Sequence, residues 1–366
     1  GLAHARILTD RTGGPLLCRM RFLHVFGKTL VFTPGPVPWR RMTQFGVSVA
    51  LSLIAGFALG TPADAAIAAF AALYVFFLDF GGPLDYRYPT IVMGLVVILL
   101  CAALGRVLYG LQWEKIAAVF VLSFIAAGSN AAGPRLLQVL RYGTVALLVC
   151  AVLPDIGVAL LPFVLLGAGI GLAVALLEDR LFGWSPRSQP GSLWAETRRI
   201  PNYRRVQFRF ALCYAAVAAA GLLGGELLGA SRPYWITITT LFAMQPDAAV
   251  SLARLFQRTV GTLVAVPVTA FAIEWSHSIW LVAVVLVVMA VMVPYGFMRN
   301  YWVGCAAIVV FVIAALDLVY FSQGGAMPLL RMRVYETILG CILAAVGTFI
   351  AFPEVWLPRK RAAGQI

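Results

Sequence analysis

Charged side chains interrupt residues 233–262, a stretch that lies between two strongly apolar segments. Asp247, Ser251, Arg254 and Arg258 follow one another at spacings of 4, 3 and 4 residues. On a helix, this spacing puts them on one polar stripe. A guanidinium is always charged and can hold a carboxylate through two parallel hydrogen bonds. The stripe therefore predicts an amphipathic helix on the inner side of the membrane that could line an entrance to a substrate path, where the arginines could attract an anion.

Aromatic and hydroxyl side chains stand just before this stripe, in the short apolar segment 233–245. Tyr234 and Trp235 could stack on an aromatic ligand if the segment borders the path, and Thr239 is a further candidate lining residue. Pro246 can occupy the first turn of a following helix, where Asp247 would face the positive end of the helix dipole.

Other charges fall at the ends of apolar segments or inside them: Arg87, Asp317, Arg333 and Glu336. A charge at the centre of a bilayer costs at least about 2.5–3.5 kcal/mol, so such residues usually face an interior path or a partner. All four are candidates for the substrate path. Arg333 and Glu336, three residues apart, could equally form a purely structural pair.

Two other readings of the charges stay open. Arg258 could pair with Asp247 or with lipid phosphate, which would make residues 247–258 an ordinary helix at the headgroup level. The acidic residues Asp247, Asp317 and Glu336 are the candidate proton carriers, and the sequence selects none of them.

The elements that must position these residues are membrane helices. Hydrophobic residues make up 61% of the 366, charged residues make up 12%, and the mean hydropathy is +0.91. A crossing helix needs roughly 20 apolar residues. The chain is predicted to be an all-α polytopic membrane protein with twelve spans, near 43–60, 63–80, 89–109, 115–133, 139–153, 156–177, 208–229, 233–245, 258–273, 279–297, 300–320 and 331–352.

Basic residues predict the orientation of these spans. With the N-terminus inside and every span crossing, 23 of the 28 Lys and Arg residues fall on the inner side. If segment 233–245 did not cross, the linker and the tail would lie on opposite sides of the membrane. Both termini are therefore predicted to be cytoplasmic. Because the basic residues cluster beside apolar spans, we expect contact with the lipid bilayer and not with nucleic acid.

The two halves resemble repeats. The first begins RRMTQFGVSVALSLIAGFALGTP and the second RRVQFRFALCYAAVAAAGLLGGELLGASRP. Six spans per repeat give both repeats the same orientation, which is a known transporter layout. The predicted organisation is a basic N-terminal region, a first six-helix repeat, a basic linker, a second six-helix repeat and a basic tail, at residues 1–42, 43–177, 178–207, 208–353 and 354–366.

No catalytic or cofactor motif is present. The six cysteines include no C-x-x-C pair, the three histidines are scattered, and there is no phosphate-binding loop and no G-x-S-x-G turn. We expect no enzyme activity, no cofactor and no metal site. Without an ATP site, transport would be passive or driven by an ion gradient.

The stretch PYWITITTLFAMQPDAAVSLARLFQRTVGT resembles the signature of the fusaric acid resistance protein-like family, which includes the aromatic acid exporters. That pattern has an aromatic-Trp start, a short helix, a bend with proline and then Arg-x-x-Gly-Thr, matched here from Tyr234 to Thr262. RMRVYETILGCILAAVGTFIAFP resembles the closing helix of the family, with Arg333 and Glu336 in place. In the first half, Arg87 is kept but the Gly-Thr is missing.

This resemblance implies export of small organic, often aromatic, acids across the bacterial inner membrane, with a periplasmic membrane-fusion protein as a possible partner. Two alternatives stay open. One is an organic-anion channel similar to the aluminium-activated malate transporters of plants, and the other is a membrane scaffold or accessory subunit that transports nothing.

Overall fold

The computed structural model describes residues 29–154, 157–183, 193–198, 205–230, 232–276, 278–320 and 327–353. These residues form helices and connecting segments, with no strand among them. The predicted tail 354–366 and much of the N-terminal region and the linker lie outside the described residues.

Thirteen α-helices occur in the described ranges. The first six-helix set is α1 (Trp39–Leu59), α2 (Pro62–Leu78), α3 (Leu84–Val107), α4 (Gln112–Ser129), α5 (Pro134–Val152) and α6 (Leu161–Phe182). A short helix, α7 (Leu193–Thr197), follows. The second six-helix set is α8 (Arg205–Leu227), α9 (Tyr234–Ala243), α10 (Ala248–Ser276), α11 (Ile279–Arg299), α12 (Tyr301–Val319) and α13 (Met327–Ala351).

Each of the twelve predicted spans coincides with one of these helices, but not all are built to cross a bilayer on their own. In the described part of the chain, nine helices are long and apolar enough to do so. Helices α2 and α9 are apolar but have only 17 and 10 residues. Helix α4 begins with Gln112, Glu114 and Lys115, which make its first turn polar.

Helix α10 differs from its sequence-based prediction. A span at 258–273 preceded by an amphipathic stretch was expected, whereas one continuous 29-residue helix runs from Ala248 to Ser276. Pro246 therefore lies before the helix and not in its first turn. The predicted interruption is real, but it lies between α9 and α10, at Met244–Asp247.

The two six-helix sets share five of their main helix pairings. In the first set, α1 packs on α2 and α6, α2 packs on α6, and α5 packs on α3 and α4. In the second set, α8 packs on α9 and α13, α9 packs on α13, and α12 packs on α10 and α11. Adding seven to each helix number converts these five pairings into one another, whereas the extensive packing of α10 on α13 has no comparable counterpart between α3 and α6.

The contacts between the two sets follow the same correspondence, in which α1 to α6 are the counterparts of α8 to α13. Helix α4 packs against α8 and α11 packs against α1, while α5 meets α9 and α2 meets α12. Small residues allow the closest approaches within each set. Gly167 of α6 lies against the backbone of Ala68, and Gly225 of α8 lies against Pro233 just before α9. The junction between the sets therefore places α9 next to α5 of the first set.

Candidate anion-binding site

The break between α9 and α10 is held by local hydrogen bonds. The Gln245 N–H donates to Ser251 Oγ at 2.8 Å, and Ser251 Oγ lies 3.0 Å and 2.9 Å from the carbonyl oxygens of Gln245 and Asp247. The exposed Asp247 carboxylate accepts the Val250 N–H at 2.9 Å and caps the start of α10. Ser251 and Asp247 thus fix where α10 begins, although both were candidates for the path.

Two guanidiniums are buried deeper in the second set. Arg258 of α10 is 7% exposed and Arg333 of α13 is 6% exposed. Neither forms an ion pair with a carboxylate of the described residues. Arg333 lies over the ring of Trp235, 4.5 Å from its centroid, and the charges of Arg258 and Arg333 repel each other. Both cations are therefore uncompensated by a direct acidic partner.

Unpartnered polar atoms collect around these cations. Arg258 Nε, Arg333 Nη1 and both carboxylate oxygens of Glu336 are buried without a hydrogen-bond partner in the described structure. The same holds for the hydroxyls of three threonines. We call the whole set the α9–α10–α13 polar cluster, and it consists of Thr239, Arg258, Thr262, Arg333, Glu336 and Thr337.

Close helix packing brings the members of the cluster together. A Cβ at Gly340 of α13 would lie 2.6 Å from Thr239 Cβ of α9, and Gly340 stands one turn after Glu336. Thr259 Oγ1 of α10 lies 3.5 Å from Cys341 Sγ of α13. Buried polar groups are normally hydrogen-bonded, so these atoms, which lack a partner among the described residues, are suited to contact a bound polar ligand.

Neither structural pairing considered for these charges is formed. Asp247 is exposed and caps α10, so it does not neutralise Arg258. Arg333 and Glu336 attract each other electrostatically but form no ion pair. The cluster is therefore not a closed salt bridge.

A further arginine, Arg141, comes from α5 of the first set and was not a sequence-based candidate. It is 4% exposed, its Nε donates to the Tyr214 hydroxyl at 3.2 Å, and its guanidinium lies 5.4 Å from the centre of the Phe242 ring. Arg254, half-buried, lies 5.0 Å from the centre of the Tyr301 ring and is repelled by Arg141. Arg141 falls inside the predicted span 139–153, and the rule for charges in apolar spans could have found it.

Arg87 lies in a different environment in the first set. Its Nε and Nη2 donate to the Asp79 carboxylate at 2.8 Å and 2.7 Å, and its other contacts are Glu178 and Asp179, each at 3.3 Å. Arg41 also pairs with Asp79, at 2.7 Å. The structure thus gives Arg87 an internal carboxylate and does not bring it into the polar cluster.

The other candidate residues are buried. Tyr234 is 3% exposed and lies edge-on to Trp235, with ring centroids 6.0 Å apart. Asp317 is 3% exposed on α12. Of the sequence-based candidates, the structure brings Trp235, Thr239, Arg258, Arg333 and Glu336 together.

The fusaric acid resistance protein-like family model matches residues 212–347, which include α9, α10 and most of α13. This match confirms the resemblance inferred from the sequence motifs. The whole of the polar cluster lies within the matched range.

Two curated relatives match about half of the chain. The uncharacterized protein ORF2 of Neisseria gonorrhoeae is 29% identical over 167 residues, which are 44% of this chain and 38% of the relative. The inner membrane protein YccS of Escherichia coli K12 is 26% identical over 177 residues, 48% of this chain and 24% of the relative. The matches thus span well under half the length of either relative, and no solved structure matches. The chain is thus similar to fusaric acid resistance-like and inner-membrane proteins, and nine of its described helices are long and apolar enough to cross a membrane.

Proposed function

We propose that the protein exports small organic acids, preferentially aromatic ones, across the bacterial inner membrane, and that the α9–α10–α13 polar cluster binds the carboxylate. The observation that carries this proposal is the burial of Arg258 and Arg333 without an acidic partner. A charge at the membrane centre costs at least about 2.5–3.5 kcal/mol. An anionic substrate removes part of that cost by neutralising the site.

Aromatic side chains beside the guanidiniums support a preference for ring-bearing acids. Trp235 lies against Arg333 and Tyr301 lies against Arg254. An aromatic substrate that places its carboxylate between the arginines would meet these rings face-on or edge-on, which favours it by about 0.5–1.5 kcal/mol per ring pair beyond the burial of area.

The architecture proposed for this transporter has twelve crossings in two parallel six-helix repeats, with both termini cytoplasmic. The shared helix pairings of α1–α6 and α8–α13 support the repeats. The bias of basic residues toward one side supports the orientation. The short α9 then crosses only part of the bilayer, which is tolerated because its ends are buried in protein.

Energy for export can come from the membrane potential. Moving one negative charge out of a cell that is negative inside is favoured by about 2.3 kcal/mol per 100 mV. An ion gradient can add to this. A periplasmic membrane-fusion protein remains a proposed partner.

The test is efflux of radiolabelled benzoate, 4-hydroxybenzoate and malate from proteoliposomes that contain the full chain. Arg258→Lys keeps the charge but loses the planar guanidinium that can hold a carboxylate through two hydrogen bonds, so we expect efflux per folded molecule to fall at least tenfold. In Arg258→Gln, which also loses the charge, efflux per folded molecule should be lower still. The matched control is Arg106→Gln, an exposed arginine of α3 that should leave efflux unchanged.

Three results would contradict the proposal. Wild-type efflux in folded Arg258→Gln would show that Arg258 is structural. Rapid voltage-dependent current in planar bilayers would identify an anion channel. Absence of substrate movement by the wild type with every acid would favour a scaffold or accessory subunit.

A further inference from the structure

Of the three acidic candidates for proton binding, the structure singles out Glu336. Asp247 is exposed and accepts a backbone N–H at the start of α10. Asp317 is engaged in an interaction within the fold. Glu336 is 1% exposed, and among the described residues its carboxylate forms no ion pair and no side-chain hydrogen bond, with only a loose contact to the backbone N–H of Arg232.

The groups around Glu336 are mostly cationic. Arg333 precedes it by three residues on α13, and Arg232 approaches it from the segment before α9. Farther groups interact with Arg333 and not directly with Glu336: Tyr234 of α9, Arg258 of α10 and Cys305 of α12. The charged groups described on α8 are engaged near its ends, with Arg209 on the Ile350 carbonyl and Glu226 on Lys115. Within the described ranges, Arg333 and Arg232 are therefore the cations that offset the charge of a Glu336 carboxylate.

This arrangement couples Glu336 to an anion at Arg333. While the site holds no anion, burial disfavours the ionised carboxylate and the charges of Arg333 and Arg232 favour it. A substrate carboxylate at Arg333 cancels part of that positive charge and adds a second negative charge beside Glu336. Two like charges in a buried site oppose each other, and protonation of Glu336 relieves the repulsion.

We propose that Glu336 is the proton-binding group of the anion site and that it takes up one proton from solvent when an organic anion binds. The proton goes onto a carboxylate oxygen of Glu336, and no bond to the substrate forms or breaks. Linkage is reciprocal, so protonation of Glu336 strengthens anion binding by the same factor as anion binding favours protonation. This inference rests on the proposed function of the polar cluster.

The experiment is titration calorimetry of the purified full chain in detergent, with benzoate as the probe, at several pH values. Repeating each titration in two buffers of different ionisation enthalpy measures the protons taken up. For the wild type we expect uptake approaching one proton per benzoate. Its affinity should fall by up to about tenfold per pH unit above the pH at which Glu336 ionises in the empty site.

Variants identify the residue that takes up the proton when benzoate binds. Glu336→Gln should bind benzoate without proton uptake and with an affinity that no longer depends on pH in this range, whereas Glu336→Asp should keep the uptake. Glu114→Gln, which removes an exposed carboxyl group at the start of α4, is the matched control and should behave as the wild type. Thermal melting shows that each variant is folded.

The outcomes separate this inference from the proposed function. Wild-type binding without proton uptake, or full uptake in Glu336→Gln, would overturn the role of Glu336. Loss of uptake in Asp317→Asn with uptake retained in Glu336→Gln would transfer the role to Asp317. Absence of binding for benzoate, 4-hydroxybenzoate and malate at every pH would instead refute the anion site itself.

Discussion

Single residues show that the buried arginines of this protein have two kinds of environment. Arg87 in the first set is matched by carboxylates of the chain itself, above all by the two-point contact with Asp79. Arg258 and Arg333 in the second set have no such match. An arginine that is paired with a carboxylate of the chain stabilises the fold, whereas a buried arginine without such a pair is suited to bind an anion reversibly.

Asp79 is therefore expected to matter for stability. It is 2% exposed, so Asp79→Asn would leave Arg87 and part of Arg41 buried without their counter-charge. Removing one partner of a buried ion pair typically costs about 3–5 kcal/mol. We expect a clearly lower melting temperature in detergent, while Asp85→Asn, at an exposed aspartate near the start of α3, should melt like the wild type. Equal melting temperatures for the two variants would contradict this role.

The contribution of Asp79 to the stability of the fold should decrease as pH falls. Burial alone would raise the pKa of Asp79, but the charge of Arg41, together with the hydrogen bond and charge of Arg87, lowers it below its usual range. A carboxyl group whose pKa is lower in the folded state stabilises the fold above its unfolded pKa, about 3.9, and loses that contribution as pH falls toward the folded pKa. Asp79→Asn should therefore remove part of the acid sensitivity of the melting temperature.

The sequence predicted most residues of the polar cluster but not which groups the buried charges contact. Arg258, Arg333 and Glu336 stand out because charges are rare in apolar segments. Their partners do not follow from spacing. Arg87 binds Asp79 eight residues earlier, whereas Asp247, eleven residues before Arg258, caps a helix instead. Such choices depend on the three-dimensional path of the turns, which residue spacing does not contain.

At the scale of elements, the apolar runs located the twelve helices of the two sets, but they did not predict that α10 continues through the polar stretch before residue 258. The polar residues at its start are typical of a surface helix when only the sequence is considered. In the fold, Arg254 gains the ring of Tyr301 from α12, and Arg258 is covered by the packing of α12 and α13. These tertiary contacts allow a polar segment to continue into a membrane-length helix.

The contact of α9 with α13 depends on Gly340. An added Cβ there would lie 2.6 Å from Thr239 Cβ and 2.7 Å from the Ile236 carbonyl oxygen, so the helices must separate to admit it. We expect Gly340→Ala to destabilise the protein by about 1–3 kcal/mol, as overpacking does elsewhere. Because the same contact assembles the polar cluster, anion efflux per folded molecule should also fall.

Gly224→Ala is the matched control for this substitution. Gly224 lies in helix α8, and nothing within 4 Å would meet its added Cβ. Replacing a helical glycine by alanine should stabilise the helix by roughly 0.5–1 kcal/mol. A melting temperature of Gly340→Ala at or above that of Gly224→Ala would show that α9 and α13 are not tightly packed at this point.

For the whole molecule, most helix pairings within α1–α6 recur between the corresponding helices of α8–α13, which suggests that a two-fold axis relates the two sets. An even number of crossings per set would orient this axis along the membrane normal. The chemistry follows this symmetry only in part. Among the described residues, Arg258 and Arg333 of the second set and Arg141 of the first form no ion pair, whereas Arg87 of the first set is matched by carboxylates. The second set would carry the two arginines of the anion site.

Cross-linking tests this arrangement at both junctions between the sets. Phe124 of α4 and Phe208 of α8 have ring centroids 5.6 Å apart, and Phe57 of α1 and Trp280 of α11 have centroids 5.3 Å apart. In a background without native cysteines, each pair replaced by cysteines should be joined by a short bifunctional thiol reagent. After cleavage at a protease site inserted in the linker 184–192, the joined halves should run as one band on a denaturing gel. The mismatched pair of Phe124→Cys with Trp280→Cys should separate into two bands. If only one matched pair is joined, the two junctions are not equivalent and the two-fold arrangement is wrong.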